Sequence, residues 1–265
     1  MSCMSELYNI YNHGNIYATC SSVTYFVQAS SDGRGLGDCI LCHRLMMFLA
    51  LKGVDAKVTT IDLVRKPMFF KEQFSGMKLP CLAHNLGNGK KIVIDDAAEI
   101  EDHLEQMFPD PKLKFARNED DGGASRAEGR VFQKFSAYMR NKDSDIDEKL
   151  RGFLIDELNR LNIYLGSGGK IHGKFLAGDQ MMQPDCVLLP KLHQLKVALN
   201  FYKNFQIPEQ YDRVLAYLSS AEEEEIFTGT RCEDEEILQF WSTHSDQKKA
   251  KEFLVTRSGS MSSHK

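Results

Sequence analysis

The chain has 265 residues, enough for one large domain or two small ones with a sizeable core. Its 42% hydrophobic and 26% charged residues are those of a globular protein, and a formal net charge of -4 argues against a nucleic-acid partner, which usually meets a basic face. No run reaches the roughly 18 consecutive apolar residues of a membrane-spanning helix. The N-terminus also lacks the basic and apolar regions of a secretory signal, so a reducing, cytoplasmic setting is expected, with most of the seven cysteines free.

Residues 1–21 are polar with scattered aromatics and read as a loosely ordered extension. Residues 23–27 (VTYFV) form a β-prone run, and the Gly-rich stretch 30–37 follows as a loop. A helix is predicted from Asp38, a good N-cap, through the apolar run 45–51 to a stop at Lys52-Gly53. Residues 54–61 alternate as a second strand, and 67–74 open with proline as a short helix. Residues 79–83 and 92–94 are two more strands. Asp95 or Asp96 then caps a helix carrying Ile100, Leu104 and Phe108 at helical spacing. The order β-α-β-α-β-β-α is that of a thioredoxin-like domain with one mixed sheet.

Pro109-Asp110-Pro111 ends this domain, and the run Asp120-Asp121-Gly122-Gly123 marks a linker. Beyond it the pattern is helical. Val131, Phe135, Tyr138 and Met139 line one face, and Leu150, Leu154, Leu158, Leu161 and Leu165 another, before a loop at 167–169. Residues 184–204 and 208–219 read as further helices opened by proline, 222–225 as a solvated acidic face, and the Ser-rich tail after Lys251 as disordered. The division expected is an extension (1–21), a thioredoxin-like domain (22–108), a linker (109–124) and an all-helical domain (125–265).

Cys39 and Cys42 begin the first helix in a C-x-x-C pattern. Unpaired N–H groups and the positive end of the dipole favour a thiolate there. Cys42, one turn on, can resolve a mixed disulfide formed at Cys39. Other readings stay open. Two buried helix cysteines need no chemistry. The string C-x-x-C-H is that of c-type haem attachment, which needs export. Zinc through Cys39, Cys42, His43 and Cys81 lacks a second well-spaced ligand pair, so no metal is expected. Leu79-Pro80 suits the cis-proline that stands beside the reactive cysteine in thioredoxin-like folds. Arg44 and Lys52 flank the apolar run; at that length the run reads as buried core, with membrane entry as the alternative.

Together these strings resemble the chloride intracellular channel family, relatives of the omega-class glutathione transferases. Ser31-Asp32-Gly33 through Gly37-Asp38-Cys39, Leu51-Lys52-Gly53-Val54 and Val58-Thr59-Thr60-Ile61-Asp62 are similar to the family's first half. Lys134-Phe135-Ser136-Ala137-Tyr138, Lys174-Phe175-Leu176, Asp185-Cys186 and Ile207-Pro208-Glu209 are similar to its second. The resemblance implies a glutathione-transferase fold, a monomer in its soluble form, and glutaredoxin-like oxidoreductase chemistry at Cys39 with glutathione as cofactor. Glutathione would be held by Leu79, Pro80 and Asp96. It also implies a conditional membrane form that conducts chloride, with membrane lipid as partner. A plain glutathione transferase or dehydroascorbate reductase, and a non-catalytic scaffold for cytoskeletal proteins, are the competing readings, so the residues leave enzyme and binding module both open. Several positions depart from the pattern: Ile40 replaces a proline, Ala97 a hydroxyl residue beside the acidic glutathione contact, and Met182 the threonine of a helix cap.

Overall fold

The computed structural model describes residues 22–87, 89–115, 123–167 and 173–244. The expected N-terminal extension with Cys3 and Cys20, most of the Asp120–Gly123 run, the Gly168-Gly169 loop and the Ser-rich tail lie outside these residues. The chain divides into two compact units, one of residues 1–118 with 222–232, the other of residues 119–221 with 233–265.

In the first unit, β1 (Ser22–Gln28), α1 (Ile40–Leu51), β2 (Ala56–Ile61), α2 (Met68–Gln73), β3 (Cys81–Asn85), β4 (Lys91–Ile94) and α3 (Ala97–Met107) follow in the predicted order. The sheet runs β2-β1-β3-β4, with β1 parallel to β2 and the other pairs antiparallel. This is a thioredoxin-like mixed sheet. Successive β1 side chains face opposite sides. The Tyr25 hydroxyl donates to the Cys42 carbonyl in α1 at 3.2 Å, while Phe26 packs with Phe70 of α2, with Phe74 just after it, and with Ile61, Cys81 and Ala83. The apolar run of α1 is core: Leu45 through Leu49 are all buried.

Some boundaries move. Asp38 is not the cap of α1; Cys39 is, in extended backbone without a side-chain cap bond, because the Asp38 carboxylate is taken by the Gln28 amide at 2.9 Å. Asp96, not Asp95, caps α3, with Oδ1 accepting from the N–H groups of Ala98 (2.9 Å) and Glu99 (3.0 Å).

The second unit is helical: α4 (Val131–Arg140), α5 (Ser144–Ser167), α6 (Gln183–Lys203) and α7 (Asp212–Glu222); α8 (Glu225–Thr228) belongs to the first unit, and α9 (Asp234–Ser242) returns to the second. Pro208 does not open α7. It sits in a turn whose carbonyl accepts from Tyr211, and Asn162 of α5 caps α7 through the N–H groups of Arg213 and Val214. The Met182 side chain caps nothing. Instead the buried Asp185 carboxylate accepts from Met182 N–H (2.9 Å), Leu176 N–H (3.0 Å) and the Tyr217 hydroxyl (2.9 Å). Phe135 packs edge-on against Trp241, joining α4 to α9.

Candidate thiol site at the start of the first helix

The sheet brings the site together. Phe26 of β1 lies opposite Cys81 of β3, and Leu82 opposite Ile94 of β4. Gln28, Leu79 and the turn at Asp95-Asp96 therefore come to one end of the sheet. The stretch between β1 and α1 is tightly drawn: Gly37 N–H donates to Gln28 at 2.8 Å, and a Cβ on Gly37 would meet the Ala29 carbonyl oxygen at 2.5 Å. Only glycine allows that approach. It delivers Asp38 and Cys39 onto the end of β1, where Gln28 N–H meets Cys42 Sγ at 3.4 Å.

At this junction Cys39 is half-buried and Cys42 buried, both free thiols. The hydrogen bond between the two side chains sets their acidities apart. Reinforced by the Cys42 and Leu41 N–H groups, it lowers the Cys39 pKa to about 7 against an opposing effect of burial. The same bond, with burial, raises Cys42 well above the ordinary thiol range. Cys42 is the proton-bearing donor and Cys39 the thiolate. Cys81 is buried in β3 and desolvation raises it to about 11, so it is inert by comparison.

Leu79-Pro80 is a cis peptide. Asp95 Oδ2 accepts from Lys78 N–H at 2.8 Å and ties the turn carrying the exposed Asp96 to this segment. A cavity of about 490 Å³ opens beside it, lined among others by Gln28, Leu79, Lys66 and Lys78. Cys39 does not line that cavity; Gln28 does, and its N–H meets Cys42 Sγ.

Arg44 and Lys52 are not loose ends of an apolar segment. Arg44 makes a bidentate pair with the buried Glu101 of α3, Nε to Oε1 at 2.6 Å and a second bond at 2.8 Å. Lys52, buried, spends its three ammonium protons on Glu105 (2.8 Å), the Phe108 carbonyl (3.0 Å) and the Pro111 carbonyl (2.6 Å). His43 is buried and stacks on Phe227 of α8 with ring centroids 5.4 Å apart. Sequence reading missed these pairings and the roles of Gln28 and Asp38. One signal was present: Glu101 and Glu105 stand at i,i+4 beside apolar Ile100 and Leu104, and like charges so placed repel unless each has a cation.

A thioredoxin-like domain with a helix-capping thiolate and cis-proline, followed by a helical unit, is a glutathione-transferase fold. Three solved structures share it. Dehydroascorbate reductase from Chlamydomonas reinhardtii is 24% identical with a TM-score of 0.69, over 84% of this chain and 98% of its own. The CLIC homologue EXC-4 from C. elegans is 21% identical with a TM-score of 0.69, over 93% and 91%. Glutathione transferase Omega 3C from Trametes versicolor is 14% identical with a TM-score of 0.65, over 86% and 95%. Residues 21–111 match the model of the CLIC-like N-terminal domain, the family that the sequence strings resemble.

Proposed function

We propose that the protein is a glutathione-dependent thiol oxidoreductase with Cys39 as nucleophile. The observation that carries this is the split acidity of the pair, with Cys39 lowered to about 7 and Cys42 raised. Near neutral pH, Cys39 is about half ionised while still basic enough to attack sulfur well. The Cys39 thiolate attacks one sulfur of a mixed disulfide, forming a new S–S bond and expelling the other sulfur as a thiolate that takes a proton. Reduced glutathione then attacks the Cys39 mixed disulfide, forming glutathione disulfide and freeing Cys39. Where Cys42 attacks instead, it forms the Cys39–Cys42 disulfide and expels the bound thiol, and two glutathione thiols, oxidised to glutathione disulfide, then restore both cysteines. Two thiols are oxidised to one disulfide for each disulfide reduced.

The surroundings fit a carboxylate-rich tripeptide. Leu79 offers its backbone beside cis-Pro80, Lys66 and Lys78 provide cations along the cavity, and Asp96 is the proposed partner of the γ-glutamyl amine. Ala97 supplies no hydroxyl, so affinity is expected to be modest. The fold relatives include a dehydroascorbate reductase and a glutathione transferase, which supports the chemistry by analogy only.

The channel property implied by the family resemblance would need a different form of the chain. Among the described residues no helix is long and apolar enough to cross a membrane. The 12 residues of α1 rise about 18 Å, against about 30 Å of hydrocarbon.

The test is the pH dependence of Cys39 alkylation together with turnover of a glutathionylated peptide. A midpoint near 7, and loss of turnover in Cys39→Ser but not in Cys42→Ser, are expected. Full turnover in Cys39→Ser would refute the assignment.

A further inference from the structure

Gln28, the last residue of β1, is fixed through its main chain beside the thiol pair. It pairs with Ile61 of β2, its carbonyl accepts from Gly37 N–H at 2.8 Å, and its own N–H meets Cys42 Sγ at 3.4 Å. Its side chain lies against Gly37: a Cβ on that glycine would stand 2.9 Å from Gln28 Cγ. From there Nε2 donates to Asp38 Oδ1 at 2.9 Å. One residue thus contacts the second thiol through its main chain and, through its side chain, the acid that directly precedes the nucleophile.

An acid in that place works against the chemistry. A like charge close to a thiolate disfavours it. Asp38 opposes ionisation of both Cys39 and Cys42. The other charged or titratable groups around the pair are already engaged or neutral. Tyr25 of β1 has its hydroxyl on the Cys42 carbonyl, and burial pushes its pKa well up. Cys81 of β3, raised to about 11 by burial, is neutral too. Arg44 of α1 is matched by Glu101 of α3, Asp95 accepts from Lys78 N–H, and Asp96 caps α3. The Gln28 amide acts on Asp38 itself. A hydrogen bond to a carboxylate is stronger than one between neutral groups. Here it draws the carboxylate toward the end of β1 and sets the positive end of an amide dipole against its charge.

We infer that Gln28 is the positioning residue of the thiol pair: its side-chain amide holds the Asp38 carboxylate away from Cys39, while its main-chain N–H holds the Cys42 sulfur at the end of β1. The inference rests on Cys39 being the nucleophile, yet it concerns the resting protein and is measured without glutathione or substrate. It also gives the glycine at 37 a second purpose, since a side chain there would displace that of Gln28 as well as meet the Ala29 carbonyl.

The experiment is the pH titration of Cys39 alkylation by iodoacetamide, an uncharged reagent, in the reduced full chain, followed by mass at the Cys39 peptide. Gln28→Leu removes the amide and keeps the main-chain bonds. It is expected to raise the Cys39 midpoint by about one pH unit, which lowers the ionised fraction at pH 7 about fivefold. Asp38→Asn should lower the midpoint by about half a pH unit. In the Asp38→Asn background Gln28→Leu should no longer move it, because the charge it restrains is gone. Gln28→Lys restores a donor to the carboxylate and should hold the midpoint at or below the wild-type value. A role in packing alone predicts the reverse order, since Leu is the closer match in shape. A Gln28→Leu midpoint equal to that of the wild type, or the same rise with and without Asp38, overturns the inference and leaves the thiol reading standing. Should Gln28→Leu fail to fold, a Gln28→Lys midpoint above that of the wild type overturns it instead. A wild-type midpoint at the ordinary thiol value, about 8.5, refutes the thiol reading itself.

Discussion

At Cys39 the hydrogen bond from the Cys42 thiol lowers the pKa more than either backbone N–H, of Cys42 or of Leu41, does. The second cysteine is therefore a tuning group as well as the proposed resolving one. Cys42→Ala removes the donor, and the Cys39 pKa is expected to rise by about one unit, cutting alkylation at pH 7 by about fivefold. Cys42→Ser keeps an O–H donor and should stay closer to the wild-type titration curve. Equal titration midpoints in the two variants would show that the helix terminus alone sets the acidity. The cysteine pair was legible in the sequence because its spacing is local to one helix. The Gln28 contacts with Asp38 and Cys42 were not, because they depend on how β1 ends. Asp185 shows a similar economy. Its carboxylate accepts bonds on both oxygens, so Asp185→Asn would turn an amide N–H₂ toward either the Met182 N–H or the Leu176 N–H. A loss of about 1–3 kcal/mol in urea unfolding is expected.

Among the elements, α1 and α3 depend most on charged pairs that periodicity does not reveal. Arg44 and Glu101 lie 57 residues apart, and Lys52 and Glu105 lie 53 apart. The hydrophobic pattern placed both helices, and it left the two cations as flanks of an apolar run. Removing one partner is costly where the other is buried. Arg44→Met should leave the buried Glu101 carboxylate with only Lys114 Nζ, at 3.9 Å, and lower stability by about 3 kcal/mol. Arg44→Met with Glu101→Leu should recover most of that loss, since exchanging a whole buried pair for apolar groups is often neutral. Chemical denaturation of the two variants measures the difference. The expected strand at 54–61 begins at Ala56, and the helix expected from Pro208 begins at Asp212, for a common reason. Residues adjacent to Gly and Pro are fixed by turn hydrogen bonds, which alternation of side chains does not encode.

Over the whole molecule the two units should answer acid in opposite senses. His84 and His103 are buried in the first unit, Nδ1 to Nε2 at 2.9 Å. Burial lowers both pKa values, and His84 is lowered further by the charge that His103 would carry. The unfolded chain therefore binds more protons than the folded one as pH falls through about 6.5, and stability is lost in that direction. Asp185 in the second unit is raised by burial to about 6, so there the folded state binds the extra proton. Its contribution rises as pH falls from above 6 toward 4, by up to about 3 kcal/mol. Hydrogen exchange at pH 7 and pH 5 is expected to show weaker protection in β3 and equal or stronger protection in α6. A parallel loss in both would refute these assignments.

The return of residues 222–232 to the first unit also bears on the order in which a ribosome can finish this protein. His43 meets Phe227 only after more than two-thirds of the chain has been made. At translation speeds of roughly 5–20 residues per second, α1 waits on the order of ten seconds with that side uncovered. The thioredoxin-like half, first to be synthesised, is thus among the last parts to be completed. Until then, nascent chains should show His43 to solvent probes that the finished protein excludes.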